Sequence, residues 1–367
     1  MKTKFLWLWG FLLLILSVFP ANAETIVDST GKTVAVPDQV SRIICSGPGA
    51  LRLITYFNAQ ELVVAVDDME TARKQFDARP YAIANPRYKN LPVFGEFRGN
   101  DDPEKILGLA TPPQVIFKTY ASMGYDPVEL SQKTGIPVVV LGYGNLAAQR
   151  DIIYKSLRII GQVLGREERA EALIGFFNKQ IAELNDRTAS IENKKSCFVG
   201  GIAHKGPHGF LSTEPNYPPF EFVNADNIAR TSEVKVQNLS QSTFSKEKLL
   251  EENPDVLFLD LSTLQMGEGH GGLYELKTDP VFQALDAVID GRVYGVLPYN
   301  WYTQNFGSIL ADAWYVGKVL YPDQFADVDP VKKADEIYDF LLSAKVYADM
   351  DALFQNKAFK PVDLGAK

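Results

Sequence analysis

Residues 149–192 read QRDIIYKSLRIIGQVLGREERAEALIGFFNKQIAELNDRTASIE and lie near the middle of the 367-residue chain. From Arg166 onward, apolar residues recur every three or four positions, which is the spacing of one helical face. That face consists of Ala170, Leu173, Ile174, Phe177, Ile181, Leu184 and Ile191, with Thr188 among them. No proline occurs between Pro137 and Pro207, so no proline ring interrupts a helix there. The part from Arg166 onward therefore predicts a helix of roughly 40 Å, at about 1.5 Å per residue, that connects two parts of the chain.

Short apolar runs alternate with helical patterns on both sides of this connection. The runs predicted as strands are 42–45, 62–66, 91–94, 114–118 and 137–141 before it, and 197–202, 255–259 and 292–296 after it. Apolar strands separated by helices are typical of a mostly parallel sheet with helices on both faces. Residues 25–36 alternate polar and apolar side chains around a Ser-Thr-Gly-Lys turn, which predicts a small hairpin.

A similar unit occurs on both sides of the connection. EKIL at 104–107 precedes an apolar strand, and EKLL at 247–250 does so again. We therefore predict an α/β fold of two related lobes, each a mostly parallel sheet flanked by helices. The predicted division is a signal peptide at 1–23, an N-terminal α/β lobe at 24–148, a linking helical segment at 149–192 and a C-terminal α/β lobe with a helical tail at 193–367.

The first residues have the pattern of a secretory signal peptide. Lys2 and Lys4 precede an apolar run at 5–19, and Ala-Asn-Ala at 21–23 is a small-x-small cleavage site. No cysteine stands at that site, so a lipid anchor is not expected. The prediction is a periplasmic protein, since no later apolar run reaches the roughly 20 residues that a membrane helix needs.

The net charge indicates which partners are expected, and the positions of the cysteines indicate whether a disulfide is expected. The formal net charge is -8; removal of Lys2 and Lys4 gives -8 - 2 = -10 for the mature chain, which argues against nucleic acid as a partner. Cys45 and Cys197 lie in separate apolar runs. Two buried free thiols are therefore favoured over a disulfide, which an oxidising compartment would permit.

Ligands of open parallel sheets bind outside the carboxyl ends of the strands, so the segments that follow the strands supply the candidate site. The candidate ligand-binding residues are Arg98, Lys118, Tyr120, Tyr143, His204, His208, Tyr217, Met266, His270, Tyr299, Asn300, Trp301 and Tyr302. Lys118 ends an apolar strand and is expected to project into the cleft. Together with Arg98 it suits an anionic ligand group.

The run Tyr299-Asn300-Trp301-Tyr302 places three aromatic rings beside an amide directly after a predicted strand. One or two of these rings fit a buried core, but four bulky amphipathic side chains in succession cannot all face inward. Aromatic side chains with a polar end commonly line ligand pockets. We interpret the run as one wall of a binding site.

All three histidines fall in loops of the second half, where His204, His208 and His270 could form a metal site with Glu268. Solvated loop histidines are the alternative. A metal held between the lobes would need ligands from both, and the first half contains no histidine. Direct metal binding is therefore not expected. Nucleophile elbows, phosphate loops of the Walker type and His-Glu-x-x-His motifs do not occur, so no enzymatic activity is expected.

Several segments resemble one family. They are DSTGKTV at 28–34, VP at 36–37, VSRI at 40–43, EKIL and EKLL with the following Pro-x-Val, NADNIA at 224–229 and ADAWY at 311–315. Together they resemble substrate-binding proteins of bacterial ABC importers, of the helical-backbone class that captures iron-siderophores, haem, corrinoids or, in some members, molybdate.

The resemblance implies two lobes joined by one rigid helix, with the ligand between them and small closure. It also implies docking on a membrane permease through an acidic residue of each lobe. Arg52 occupies the position where relatives usually have the first-lobe glutamate, and Glu221 is the second-lobe candidate.

The sequence and the resemblance together predict a monomeric periplasmic receptor that has no resident cofactor. Its ligand would be a metal chelate, with an iron-siderophore, haem or related complex in first place, and its partner an ABC permease in the inner membrane. A receptor for molybdate or tungstate is one alternative, with helix N-termini near 46–49 as part of the site. A secreted metal-dependent hydrolase is the alternative of another class.

Overall fold

The computed structural model describes residues 23–72, 76–230 and 241–365. The predicted signal peptide lies outside these ranges except for Ala23. Within them, no helix combines the length and the apolar character that crossing a membrane requires.

The strands of the described residues are short and are numbered in chain order. They are β1 Ala23–Val27, β2 Thr33–Pro37, β3 Ile43–Ser46, β4 Val63–Asp67, β5 Val93–Glu96, β6 Asn100–Asp101, β7 Val115–Thr119, β8 Val138–Leu141, β9 Ser196–Gly200, β10 Ser212–Thr213, β11 Asp226–Asn227, β12 Ser242–Thr243, β13 Val256–Asp260 and β14 Val293–Val296.

The α-helices fill most of the segments between these strands. They are α1 Ala50–Tyr56, α2 Asp68–Thr71, α3 Pro80–Ala84, α4 Pro103–Leu107, α5 Pro127–Thr134, α6 Arg150–Leu164, α7 Glu167–Thr188, α8 Pro218–Phe222, α9 Lys246–Glu252, α10 Gly271–Thr278, α11 Pro280–Gln283, α12 Asp286–Ile289, α13 Phe306–Leu320, α14 Pro330–Leu342 and α15 Tyr347–Leu353. Short 3-10 helices cover Gln60–Leu62, Pro86–Asn90 and Leu261–Met266.

Two sheets form the two predicted lobes. The first has the strand order β6-β5-β4-β3-β7-β8 and is parallel except for the edge pair β5–β6. The second has the order β11-β9-β13-β14 and is parallel throughout. The predicted α/β fold is confirmed, and the eight strands predicted from apolar runs lie within two residues of observed ones.

The N-terminal hairpin is also confirmed. β1 pairs antiparallel with β2, and Asp28 holds the turn because its carboxylate accepts hydrogen bonds from the backbone nitrogens of Thr30 and Lys32 at 2.9 and 3.1 Å. Serine and aspartate side chains hold turns in this way because they bond to their own nearby backbone.

The linking segment is helical as predicted, but it consists of two helices. α6 ends at Gly165, whose φ of 61° is left-handed and favours glycine. α7 then runs back along α6, since Tyr154 bonds to Asn178 and Arg158 to Glu171. The absence of proline did not ensure continuity, because a glycine that adopts the left-handed conformation can also end a helix.

Of these two helices, α7 is the one that spans the two lobes. Its 22 residues correspond to about 33 Å at about 1.5 Å per residue. At its start, Arg166 donates to the carbonyl oxygens of Phe57 and Asn58, both at 2.8 Å. At its end, Arg187 pairs with Asp327 at 2.7 Å. Arg166 therefore joins the start of α7 to the first lobe, and Arg187 joins its end to the second lobe.

The helical tail forms a second connection. α14 belongs to the C-terminal part of the chain but packs against α1 and α3 of the first lobe. Phe340 of α14 stacks on Phe176 of α7 with ring centroids 4.0 Å apart, and Ser343 bonds to Asn58 at 3.1 Å. The tail therefore contacts both lobes, which the predicted division at residue 193 did not anticipate.

Both cysteines are buried and unbridged, one in each sheet. Burial raises the pKa of the Cys45 and Cys197 thiols well above their usual value. The prediction of two buried free thiols is confirmed.

Candidate functional site

The central strand of the first sheet marks where a ligand is expected. β4 follows β3 in the chain and lies on one side of it in the sheet, whereas the later strand β7 lies on its other side. In open α/β sheets, the crevice at such a reversal of strand order is the usual ligand site. Here it is bordered by the turn at 46–49, which follows β3, and by Tyr120, which follows β7.

A loop of the second lobe lies over this crevice. We name residues 300–304, which follow β14, the interlobe loop. The hydroxyl of Tyr302 donates to Asp67 at the end of β4 at 2.6 Å, and accepts a hydrogen bond from the backbone nitrogen of Arg98 at 3.0 Å. Thr303 and Tyr120 share a hydrogen bond of 2.5 Å between their hydroxyl groups. The interlobe loop is therefore bonded to the carboxyl ends of first-lobe strands.

Arg52 forms the inner part of the same contact. Its guanidinium donates to the carbonyl oxygen of Gln304 at 2.8 Å and to those of Trp301 and Tyr302, both at 3.1 Å. A further bond joins it to the hydroxyl of Tyr143. Arg52 is fully buried, so the prediction that it contacts a permease is wrong. The reason is that α1 presents this side chain to the second lobe and the interlobe loop covers it.

Stacked aromatic rings continue from the crevice into the core. Tyr120 stacks on Tyr143 and Tyr143 on Phe306, with ring centroids 5.9 and 5.1 Å apart. Tyr143 is nearly buried, whereas Tyr120 is 36% exposed. Tyr120 is therefore accessible to a ligand. Tyr143 packs against the Tyr120 ring and donates a hydrogen bond to the carbonyl oxygen of Gln304.

Lys118 is not in the cleft. Its ammonium is fully buried and pairs with Asp101 at 2.6 Å, with further bonds to Ser46 at 2.9 Å and to the carbonyl oxygen of Gly99 at 3.0 Å. The expected projection into the cleft is wrong because the antiparallel edge strand β6 places a carboxylate over the end of β7. Arg98, by contrast, is exposed and lies over the ring of Phe97.

The predicted aromatic wall is divided between core and cleft. Tyr299 is fully buried and donates to Glu214, and Tyr217 packs beside it with ring centroids 5.7 Å apart. Both belong to the core of the second lobe, which corrects their prediction as ligand contacts. Asn300 is half-buried and donates to the carbonyl oxygen of Ala203 at 2.8 Å. Trp301 and Tyr302 are half-buried in the interlobe loop.

The histidines do not form a common cluster. A ring nitrogen of His208 lies 2.8 Å from the carbonyl oxygen of His204, while Met266, at the end of a 3-10 helix, and His270, just before α10, are exposed. Burial, together with the charges of Lys205 and His208, lowers the pKa of His204. Across the ranges described above, no group of three or more histidine, cysteine, aspartate or glutamate side chains is arranged to hold a metal ion.

Asp67 is a site residue that the sequence interpretation missed. Burial and the nearby charge of Glu70 raise its pKa to about 7, against the opposing effect of the hydrogen bond from Tyr302. Asp67 follows an apolar strand, as Arg98 and Tyr143 do, so inspection of every strand end would have included it. Its partner could not be found in this way, because Tyr302 lies 235 residues further along the chain.

Comparison with known proteins places this architecture in a family. Residues 63–299 match the family described as "Periplasmic binding protein". The chain is 24% identical over 345 residues to the molybdate-binding protein MolA of Haemophilus influenzae, covering 87% of this chain and 91% of MolA. It is 23% identical over 239 residues to an iron-uptake system-binding protein of Bacillus subtilis, covering 63% of this chain and 71% of that protein.

A solved structure confirms the fold over nearly the whole chain. The periplasmic solute-binding protein of Veillonella parvula superimposes with a TM-score of 0.69 at 19% identity, covering 92% of this chain and 98% of that one. The two lobes, the connecting helix and the family match all indicate the same fold. The chain is a member of the periplasmic binding protein family, and the similar proteins named above are binding proteins as well.

Proposed function

We propose that this protein captures a metal chelate, in first place an iron complex, between its two lobes and delivers it to an ABC permease in the inner membrane. The observation that carries the proposal is the apposition of strand ends from both lobes around the interlobe loop. An exposed arginine, Arg98, and amphipathic rings, Tyr120 and Trp301, border that contact. The similarity to an iron-uptake binding protein supports the choice of metal.

Tryptophan fluorescence tests this proposal directly. Four tryptophans occur in the sequence, and only Trp301 and Trp314 follow the predicted signal peptide. Trp314 is fully buried, so Trp301 should report events at the interlobe loop. Purified protein is titrated with ferric citrate, ferric hydroxamates, haem and cobalamin. One of these should quench the emission, and the Trp301→Phe variant should lose most of the response. No response to any chelate would rule out a chelate receptor.

A molybdate or tungstate receptor is the second candidate. The similarity to MolA extends over most of both chains and favours a molybdate receptor. Calorimetry with molybdate separates the two candidates, because a chelate receptor should give no saturable heat. Replacement of Arg98 by alanine should weaken molybdate binding if its exposed guanidinium contacts the anion. Unchanged affinity would remove Arg98 from the site.

Glu221 remains the docking candidate of the second lobe. It lies on α8, is half-buried and is 4.0 Å from Arg230. Charge reversal in the Glu221→Lys variant should reduce uptake into cells while ligand affinity of the purified protein stays the same. Normal uptake would exclude Glu221 from the docking surface. Glu247→Lys, at an exposed helix of the same lobe, provides the control.

A further inference from the structure

Arg52 differs from the other buried cations of the first lobe. Lys118 pairs with Asp101, and Arg79 pairs with Asp77 at 2.7 Å and with Glu70 at 3.1 Å. In the portion of the chain that the structure describes, Arg52 has no carboxylate partner within ion-pair distance. Its guanidinium contacts three main-chain carbonyl oxygens and one phenol, and lies over the rings of Tyr81 and Tyr143 at 5.0 and 5.8 Å.

A buried guanidinium without an anion is unfavourable. An arginine keeps its charge in a protein, and removing that charge from water has a large cost that neutral acceptors offset only in part. Among the residues that the structure describes, the Nε of Arg52 and the side-chain oxygen of Gln304 also have no hydrogen-bond partner. The contact therefore satisfies Arg52 less completely than an anionic oxygen group would.

The loop that covers Arg52 is itself strained. Tyr302 and Thr303 are consecutive non-glycine residues with left-handed backbones, at φ of 48° and 62°. This conformation is unfavourable for residues with a Cβ atom and persists only where the surroundings impose it. Here the surroundings are Asp67, Tyr120 and Arg52 of the other lobe. Separation of the loop from the first lobe would remove these contacts and expose the guanidinium.

We propose that Arg52 binds an anionic oxygen group of the ligand, and that the carbonyl oxygens of the interlobe loop compete with the ligand for this guanidinium. The carbonyl oxygens of Trp301, Tyr302 and Gln304 mark positions that carboxylate or oxyanion oxygens of a ligand would occupy. A guanidinium binds such groups through two parallel hydrogen bonds. This inference rests on the proposed function, since it requires that a ligand enters between the lobes.

Four proteins test the proposal: the native sequence, Arg52→Gln, Arg169→Gln and Tyr302→Phe. Arg169 is the matched control because its guanidinium also donates to main-chain carbonyl oxygens, of Tyr56 at 2.9 Å and Phe340 at 2.6 Å, away from the strand ends. Calorimetry measures the affinity of each protein for ferric citrate and for molybdate, and circular dichroism verifies that each is folded.

Arg52→Gln should weaken binding of the anion that the native protein recognises by roughly tenfold to a hundredfold, the effect of losing a charge-assisted hydrogen bond. Arg169→Gln should leave the affinity close to native. Tyr302→Phe should increase the affinity, because it removes a bond that holds the loop over Arg52. A purely structural Arg52 would instead give losses in both Arg52→Gln and Tyr302→Phe, because each variant removes bonds between the interlobe loop and the first lobe.

The outcomes separate this inference from the proposed function. Native affinity in a folded Arg52→Gln variant overturns the role of Arg52 and leaves the receptor function intact. Equal losses in Arg52→Gln and Arg169→Gln also overturn it. If the native protein binds only uncharged or cationic chelates, the receptor function stands and the anion site is wrong. If it binds no chelate and no oxyanion, both fail.

Discussion

At the scale of single residues, the second lobe contains carboxyl groups buried beside one another. Burial raises the pKa of Glu214 and of Asp312 well above the usual range, and the charge of Asp260 raises both further. Burial also raises the pKa of Asp260 to about 7, against the opposing effect of its hydrogen bonds to Ser262. In the folded protein these groups hold a proton more tightly than carboxyl groups in water do.

This arrangement predicts how stability depends on pH. Asp260 has a folded pKa of about 7 and an unfolded pKa of about 3.9, so the folded state binds the proton more tightly. Its contribution is complete below the unfolded pKa and is lost as the pH rises through the folded pKa. Unfolding in urea at pH 5 and pH 8 should therefore show lower stability at pH 8, with a smaller difference in Asp260→Asn. The exposed Asp323→Asn control should keep the native difference; an unchanged difference in Asp260→Asn would contradict the prediction.

The buried pair of Lys118 and Asp101 allows a second prediction. Both side chains are fully buried, so Lys118→Met leaves the Asp101 carboxylate without its counter-charge. The free energy of unfolding should fall by about 3–5 kcal/mol, as when one partner of a buried pair is removed. Chemical denaturation measures the loss. The double variant Lys118→Met, Asp101→Leu should recover much of it, and equal stability of the single variant and the native protein would show that the pair is unimportant.

At the scale of elements, local patterns determined most helices and strands. Asp126 and Asp279 each cap a helix that begins with proline, and the caps accept hydrogen bonds from the following backbone nitrogens at 2.8 to 2.9 Å. Such signals lie within four residues and are visible in the sequence. The break between α6 and α7 at Gly165 is equally local. Apolar spacing does not indicate it, because the spacing of the apolar residues does not depend on the glycine.

α7 is the element on which the spacing of the lobes depends. Insertion of Gly-Pro after Ile181 should interrupt the helix between its two arginine-fastened ends, because proline removes a backbone donor and clashes with the preceding turn. Ligand affinity should fall while each lobe stays folded, which calorimetric unfolding would show as two separate transitions. The same insertion after Asn193, beyond the end of α7, should have little effect. Native affinity in the Ile181 variant would mean that α7 does not position the lobes.

At the scale of the whole molecule, α7 and the tail helix α14 both connect the lobes. A packed helix resists bending, so the movement between the lobes should be smaller than that allowed by flexible strand linkers. Phe340 of α14 stacks on Phe176 of α7 with ring centroids 4.0 Å apart, so the two connections also contact each other.

Distance measurements between spin labels test this rigidity. Leu107 and Ile289 are exposed positions, one in each lobe, and cysteines placed there carry the labels after both native thiols are replaced by serine or alanine. The distance should change little when ferric citrate or molybdate is added. The Phe340→Ala variant should broaden the distribution because the tail is then held less tightly. A large change in the unaltered protein would contradict a rigid two-helix connection.

The sequence by itself determined the α/β class, the two lobes, the helical connection and the strand ends at which a site is expected, because these depend on apolar spacing and on caps within a few residues. Tertiary structure alone decided which of the candidate residues face the cleft. Lys118 became a core residue because β6 places Asp101 over it, and Arg52 became an interlobe residue because a loop about 250 positions later covers it. A sequence does not show which way a charged or aromatic side chain points. That direction depends on partners that only the folded chain brings within hydrogen-bond distance.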